Sequence, residues 1–397
     1  MSNTFLVISD ITRETQRVLH ERMTFCKTIN NQFDNMAVSE GGGKNGGVMR
    51  IRTPSKYTVR SGRVMNIQDT TDTSVTLTVA TQTGCDLGNF TSAEMANSLE
   101  DVSNRYIKPA VSVIASHIEK TVLQGVTQDV YMNVGTAGTT PATMTVWGNA
   151  QAKLNQQCAP HEDRSIQLSS VAMASMVDAY KGLFAPSSAV SKQYLEGYVA
   201  RNSGFDWYTN ERGLVVANGA DVAGTVNETT VADGDAEMDV TGFSAALATG
   251  SIFTVAGVYD VHPETKEAYS HLKQFVVLTG TTTTLLKFSP AVYDSGENQN
   301  VSALPSSSLS SGTITPVGSA STTYPYHLAY HKDIAVFATQ DLPLPKNHEA
   351  MRKRIDDISV RVIMNAYDVV NDTYATRIDV LWGYKTIRPE LGCRVIG

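Results

Sequence analysis

The sequence has no apolar run long enough to cross a bilayer. Its first residues, "MSNTFLVISD", hold only four consecutive apolar side chains with no basic stretch before them, which excludes a signal-peptide core. Cysteine is scarce. The four present (Cys26, Cys85, Cys158, Cys393) are scattered and none forms a C-x-x-C pair, which excludes a disulfide framework or a paired-cysteine zinc site. Their setting implies reduced thiols, buried by packing, in a protein that folds in the cytoplasm. Charge is also sparse, at 18% of residues with a net of −7, and argues against a chain whose main task is gripping nucleic acid. What fills the sequence instead is Thr, Ser, Ala, Val and Gly, within 42% hydrophobic residues. That texture implies β-rich structure with large buried or subunit-covered surfaces.

Catalytic signatures are missing as well. "GGGKNGG" (41–47) has the glycines of a phosphate loop but not their order, and reads as a hairpin hinge. His327 and His331 have the spacing of a helical zinc site, but Tyr324, Pro325 and Tyr330 place them on a strand or loop, where that spacing does not converge. "HEDR" (His161–Arg164) beside Pro160 reads as a solvated turn. There is no G-x-S-x-G elbow, and no cysteine has the surroundings of a nucleophile. The expectation is a protein without active site, metal or cofactor, and not an enzyme.

At 397 residues, two or three lobes are expected. Residues 9–30 read as an amphipathic helix capped by Ser9 or Asp10. "VMRIRT" and "KYTV" read as short alternating strands, interrupted by Pro54, on a long glycine-flanked hairpin, and "SVTLTVATQT" as a further strand after it. Residues 91–131 carry the strongest helical pattern, opening on a Thr91-x-x-Glu94 capping box and kinked or split at Pro109. Three shorter helices follow between 147 and 205. From about Leu214 to Thr322 the pattern turns to short strands, with "LTGTTTTLLKF" as two strands and a tight turn: a compact β-barrel or sandwich. Longer apolar strands return after it. The final run "LWGYKTIRPELGCRVIG" is as β-branched and apolar as an interior strand, so it is expected to be docked, with a bend at Arg388-Pro389.

One charge feature stands out. Between Glu40 and Asp69 there is no acidic residue, while Lys44, Arg50, Arg52, Lys56, Arg60 and Arg63 are all basic. These cations form a solvated strand face, a nucleic-acid contact, or an arm laid on an acidic surface of another subunit. The nucleic-acid reading wants interleaved aromatics, and only Tyr57 is there. The arm reading is preferred, with Glu94, Glu100 and Asp101 offering the acidic surface.

The order of these parts resembles the major capsid protein of tailed bacteriophages, the HK-97-like fold, and within it the short-tailed phage P-22 coat protein type with an inserted β-domain. "DLPLPKNHEA" (341–350), "LWGYKTIRPELG" (381–392), "VAGVYDV" and "SPAVYD" carry the resemblance. It implies an α+β fold: N-terminal arm 1–35, E-loop hairpin and flanking strands 36–90, P-domain spine helix 91–135, A-domain 136–217, inserted β-barrel 218–322, and returning strands 323–397. It further implies a structural protein that self-assembles through hexamers and pentamers into an icosahedral shell around double-stranded DNA. A separate scaffolding protein, a portal and a decoration protein would be partners, with DNA touched only non-specifically and no membrane involved. Assembly would take place in the host cytoplasm and end in the virion capsid. The segment Gly219–Asp239 is shorter than the acidic hairpin of relatives, which weakens the case for an intercapsomer contact there. The competing reading is a phage tail or surface adhesion module built on the β-domain.

Overall fold

The computed structural model describes residues 23–31, 48–60, 62–65, 67, 73–91, 108–180, 201–220, 223–228, 231–302, 312–345, 349–355, 358–364 and 373–397. The chain divides into two compact units. One comprises residues 1–52, 74–123 and 335–387, the other 53–73, 124–334 and 388–397.

In the first unit the long strand Thr373–Thr386 is the organiser. Along its length it pairs antiparallel with Ala335–Gln340, Ile358–Met364 and Thr81–Thr91, and Ile358–Met364 in turn pairs with Glu349–Ile355. The hairpin stem is Val48–Arg52 against Ser74–Thr78, in register from Val48↔Thr78 to Arg52↔Ser74. Alternation places Ile51 and Leu77 in a small core with Val79, Val336 and Ala338, and turns Arg50 and Arg52 to solvent. "KYTV" (56–59) is not a strand: Pro54 lacks the donor a ladder needs. "SVTLTVATQT" is two strands, broken at Val79-Ala80. Thr91 ends a strand opposite Thr373, and the remainder of its expected capping box, Glu94 included, lies outside the described residues.

The described part of the spine helix is Lys108–Asp129. At 1.5 Å per residue this is roughly 33 Å. Val111, Ile114, Ile118, Val122 and Val126 recur at three- and four-residue steps and are all buried, while Val113 and His117 face out. Pro109 lies in the first described turn.

In the second unit, helices Met144–Gln156 and Ser170–Tyr180 accompany a sheet ordered 133–134, 392–396, 323–331, 164–168, 206–209, with Leu214–Ala217 also pairing with Thr323–His331. The final strand Gly392–Ile396 is buried throughout. It runs antiparallel to Tyr326–Tyr330 and parallel to Asn133–Val134, after a 3-10 turn at Pro389–Leu391. The expected docking and bend are both there. The expected single closing strand is two, because the turn at Pro389 separates Thr373–Thr386 from Gly392–Ile396.

Between Leu214–Ala217 and Thr323–His331 the chain closes a six-stranded antiparallel barrel. Its order is 268–277, 285–292, 235–241, 224–226, 313–316, 252–261, and back to 268–277. Closure leaves no open edge among these strands. Phe253, Phe275 and Phe288 meet at the centre with ring centroids 5.3–6.2 Å apart, inside a continuous apolar core that includes Met238, Val255 and Leu286. Gly280, at φ +85°, makes the turn between the strands ending at Val277 and starting at Leu285.

Candidate assembly surfaces and buried polar anchors

The basic arm is solvent-exposed where it is described. Arg50 and Arg52 lie on the open face of the stem, and Lys56, Arg60 and Arg63 are exposed in the segment that follows. Arg60 donates to the Gly62 carbonyl of its own turn. Lys44, Glu94, Glu100 and Asp101, and with them the acidic side of the expected pairing, lie outside the described residues.

Charge is not the arm's only feature. Tyr57 is 59% exposed, and Val59, Val64, Met65 and Ile67 are 94%, 85%, 74% and 78% exposed. The four most exposed large hydrophobics among the described residues all fall in this short stretch. Sequence reasoning weighed the cations and passed over these apolar residues, although V-x-x-x-x-V-M-x-I (59–67) with no partner strand was the available signal. Apolar side chains held out in water on a monomer mark a protein–protein contact.

Four buried polar anchors were also missed, because in each a partner comes from a different strand or helix that only the fold brings alongside. Glu119, fully buried on the spine helix, accepts from the Thr24 N–H at 3.0 Å, the Thr24 hydroxyl at 2.9 Å, the Phe25 N–H at 2.5 Å and the Cys26 N–H at 3.3 Å. It thereby satisfies the open donors of the short helix Phe25–Thr28. Asp379, fully buried on the long strand, accepts from Arg361 Nη2 at 2.6 Å and Arg377 Nε at 2.8 Å. Burial alone would raise its carboxyl, but these donors outweigh that and hold it below the usual range. Its cross-strand neighbour must be Gly84: a Cβ there would sit 2.8 Å from the Ile378 carbonyl and collide with the Asp379 carboxylate.

Arg394, on the terminal strand, is fully buried and donates at 2.6 Å to the carbonyls of both Gln128, at the end of the spine helix, and Gly250, at the foot of the barrel. Its guanidinium lies 5.4 Å from the Tyr326 ring, and burial lowers its pKa to about 10. Asp260 and Lys273 form a buried ion pair at 2.8 Å on adjacent barrel strands, with Tyr131 5.0 Å from the ammonium. Burial pushes the Asp260 carboxyl up, but His271 and Lys273 more than reverse this and it lies below its ordinary value.

The remaining expectations divide. His327 and His331 are both buried on the strand Thr323–His331, where four residues span about 13 Å, too far to share an ion. Among the described residues no group of three or more His, Cys, Asp or Glu is placed to hold a metal. "HEDR" is a solvated turn only through Asp163. Arg164 is fully buried, because its guanidinium closes the turn with bonds of 2.6 Å to the Pro160 and Ala159 carbonyls. All four cysteines are free, but only Cys26 and Cys393 are fully buried. Cys158 is exposed, at the left-handed residue (φ +56°) that ends the helix Met144–Gln156. No described helix is long and apolar enough to cross a membrane.

Residues 44–397 match the profile of the family described as "P22 coat protein - gene protein 5". The chain belongs to that family: it is a major capsid protein of the tailed-phage kind, a structural protein that self-assembles into the virion capsid, with the capsid fold and an inserted β-barrel. It is similar to a Mycobacterium phage Che8 structure at 11% identity, covering 94% of this chain and 90% of that one with a TM-score of 0.48. It is also similar to the capsid of cyanophage P-SCSP1u at 9% identity, covering 88% and 82% with a TM-score of 0.40. The asymmetric unit of the bacteriophage PhiM1 mature capsid is matched at 10% identity, covering 89% and 82% with a TM-score of 0.42. No individual curated protein matches the sequence.

Proposed function

We propose that copies of this single chain form the hexamers and pentamers of an icosahedral shell around packaged DNA, and that the arm 48–67 is the element that joins neighbours. The observation that carries this is the exposure of Tyr57, Val59, Val64, Met65 and Ile67 among the cations Lys56, Arg60 and Arg63. Covering five such side chains on a neighbour is favourable at about 25 cal/mol per Å2 of apolar area, and the cations set the register against an acidic surface. Glu94, Glu100 and Asp101 are the proposed acidic side of that contact. Packaged DNA is touched only non-specifically, and the net charge of −7 goes with a chain not devoted to gripping nucleic acid. A separate scaffolding protein, a portal and a decoration protein complete the particle, and assembly takes place in the host cytoplasm. Functionally the chain is divided as N-arm 1–35, E-loop 36–90, spine 91–135, A-domain 136–217, barrel 218–322 and returning strands 323–397.

The purified chain, alone or with its scaffolding partner, is expected to elute as monomer plus very large particles that appear as closed shells in negative stain. Small discrete oligomers under all assembly conditions would refute the reading.

A further inference from the structure

The barrel is held at two ends of one long strand, and the two ends are held differently. Ile252–Val261 runs from the barrel's foot to the Asp260 ion pair, about 25 Å at 3.3 Å per residue. At the foot, the incoming and outgoing chains are tied to each other. Asn218 donates its backbone N–H to Thr322 at 2.9 Å and its side-chain amide to the Val317 and Ser319 carbonyls at 2.9 and 3.2 Å. Ile252 packs there with Leu214, Val216, Tyr324, Tyr326 and Ile396, and Arg394 bonds to Gly250. Gln274, which faces Thr254, exchanges two hydrogen bonds with the Asn133 backbone at 2.8 and 3.0 Å. This end is a hinge built from apolar packing and main-chain bonds.

The far end is a polar contact. Asp260 is an acceptor shared by the barrel and the neighbouring helix. Lys273 Nζ at 2.8 Å and the Val261 N–H at 3.0 Å donate from the barrel, and His271 Nε2 lies nearby at 3.4 Å. Gln157 Nε2, at 3.2 Å, comes from the C-cap of the helix Met144–Gln156. Beside it the Tyr269 hydroxyl donates to the Gln156 carbonyl at 3.0 Å, and Cys158 Sγ lies 3.7 Å from His262 Nε2.

We propose that the Asp260–Gln157 contact is a releasable latch, and that opening it lets the barrel change its tilt about the Asn218 hinge while its own fold persists. Buried polar contacts contribute little net stability but fix geometry strongly, so a latch made of them opens at low cost once water can replace the partners. The phenylalanine core is shared by the barrel strands alone and is untouched by that opening. A domain pivoting on a few residues at one end is a known form of conformational change. The inference concerns the isolated chain, so it stands or falls independently of shell formation.

The test is amide hydrogen exchange on the unassembled full-length chain, comparing wild type with Asp260→Asn and Gln157→Ala. Gln157→Ala leaves the Asp260–Lys273 pair intact and so serves even if Asp260→Asn fails to fold. Exchange about tenfold faster at residues 153–158 and 259–272 is expected, with protection unchanged at Phe253, Phe275 and Phe288. Unchanged exchange at the junction in Gln157→Ala would overturn the latch. So would loss of protection at the three phenylalanines in that variant, which would make the contact part of the barrel's own stability.

Discussion

His327 packs 6.2 Å from the Trp147 ring, and its Nδ1 accepts the Ser169 N–H at 3.4 Å. Burial lowers its pKa to about 4, although Glu211 opposes this. Between about 6.5 and about 4 the unfolded chain binds a proton that the folded chain refuses. Stability should therefore fall as pH drops through that window, by up to roughly 3 kcal/mol at 1.36 kcal/mol per unit. Urea midpoints taken from pH 7 to 4.5 should show the slope, and His327→Gln should flatten it; an equal slope in the variant would place the titration elsewhere. Arg394 gives a second residue-scale expectation. Replacing it with Met leaves the Gln128 and Gly250 carbonyls without their donor and should cost about 2–4 kcal/mol in urea unfolding, whereas Arg60→Ala should stay within about 0.5 kcal/mol. A loss below about 1 kcal/mol for Arg394→Met would mean that water replaces the guanidinium there.

Among the elements, the barrel has the most self-contained sequence. Three of its strands pair with near neighbours, Ile252–Val261 with Ala268–Val277 and that strand with Leu285–Val292, while Gly224–Val226 and Thr313–Pro316 close it from the two ends of the same segment. Its central phenylalanines need nothing from outside residues 218–322. About a hundred residues are enough for a single β core, and short loops close at little entropic cost. Residues 215–325 expressed alone should therefore give a dispersed amide spectrum and a cooperative thermal transition; a random-coil spectrum would show that the parent fold holds the barrel shut. The hairpin stem is different. It buries only Ile51 and Leu77 against Val336 and Ala338, so it is too small to stand by itself. This is why alternation located Val48–Arg52 and Ser74–Thr78 but misjudged "KYTV", which has no partner strand among the described residues.

For the whole molecule, the arm's charges matter through repetition. One exposed ion pair is worth about 0.2–1 kcal/mol, negligible for a monomer's fold, yet a shell repeats each contact in every subunit. Reversing Arg50 and Arg52, or Arg60 and Arg63, to Glu should leave the monomer melting temperature nearly unchanged and cut shell yield sharply, read by sedimentation. A collapse of melting with normal assembly of the surviving fraction would make the arm an intrachain element.

Local pattern was sufficient for much of this protein. The spine helix from Lys108, the helices at 144–156 and 170–180, the β-texture of 214–322 and the docked final strand all follow from period-3.6 or period-2 burial, which neighbouring residues encode. The order of those parts carried the family resemblance, since order is itself a property of sequence. Tertiary structure alone decided the polar interior. Glu119 meets Thr24 to Cys26 from 93 to 95 positions away, Arg394 meets Gln128 and Gly250 from 266 and 144, and Gln157 meets Asp260 from 103. A buried charge is tolerable only where the fold brings donors and acceptors to it, and no spacing rule reports which distant backbone will arrive.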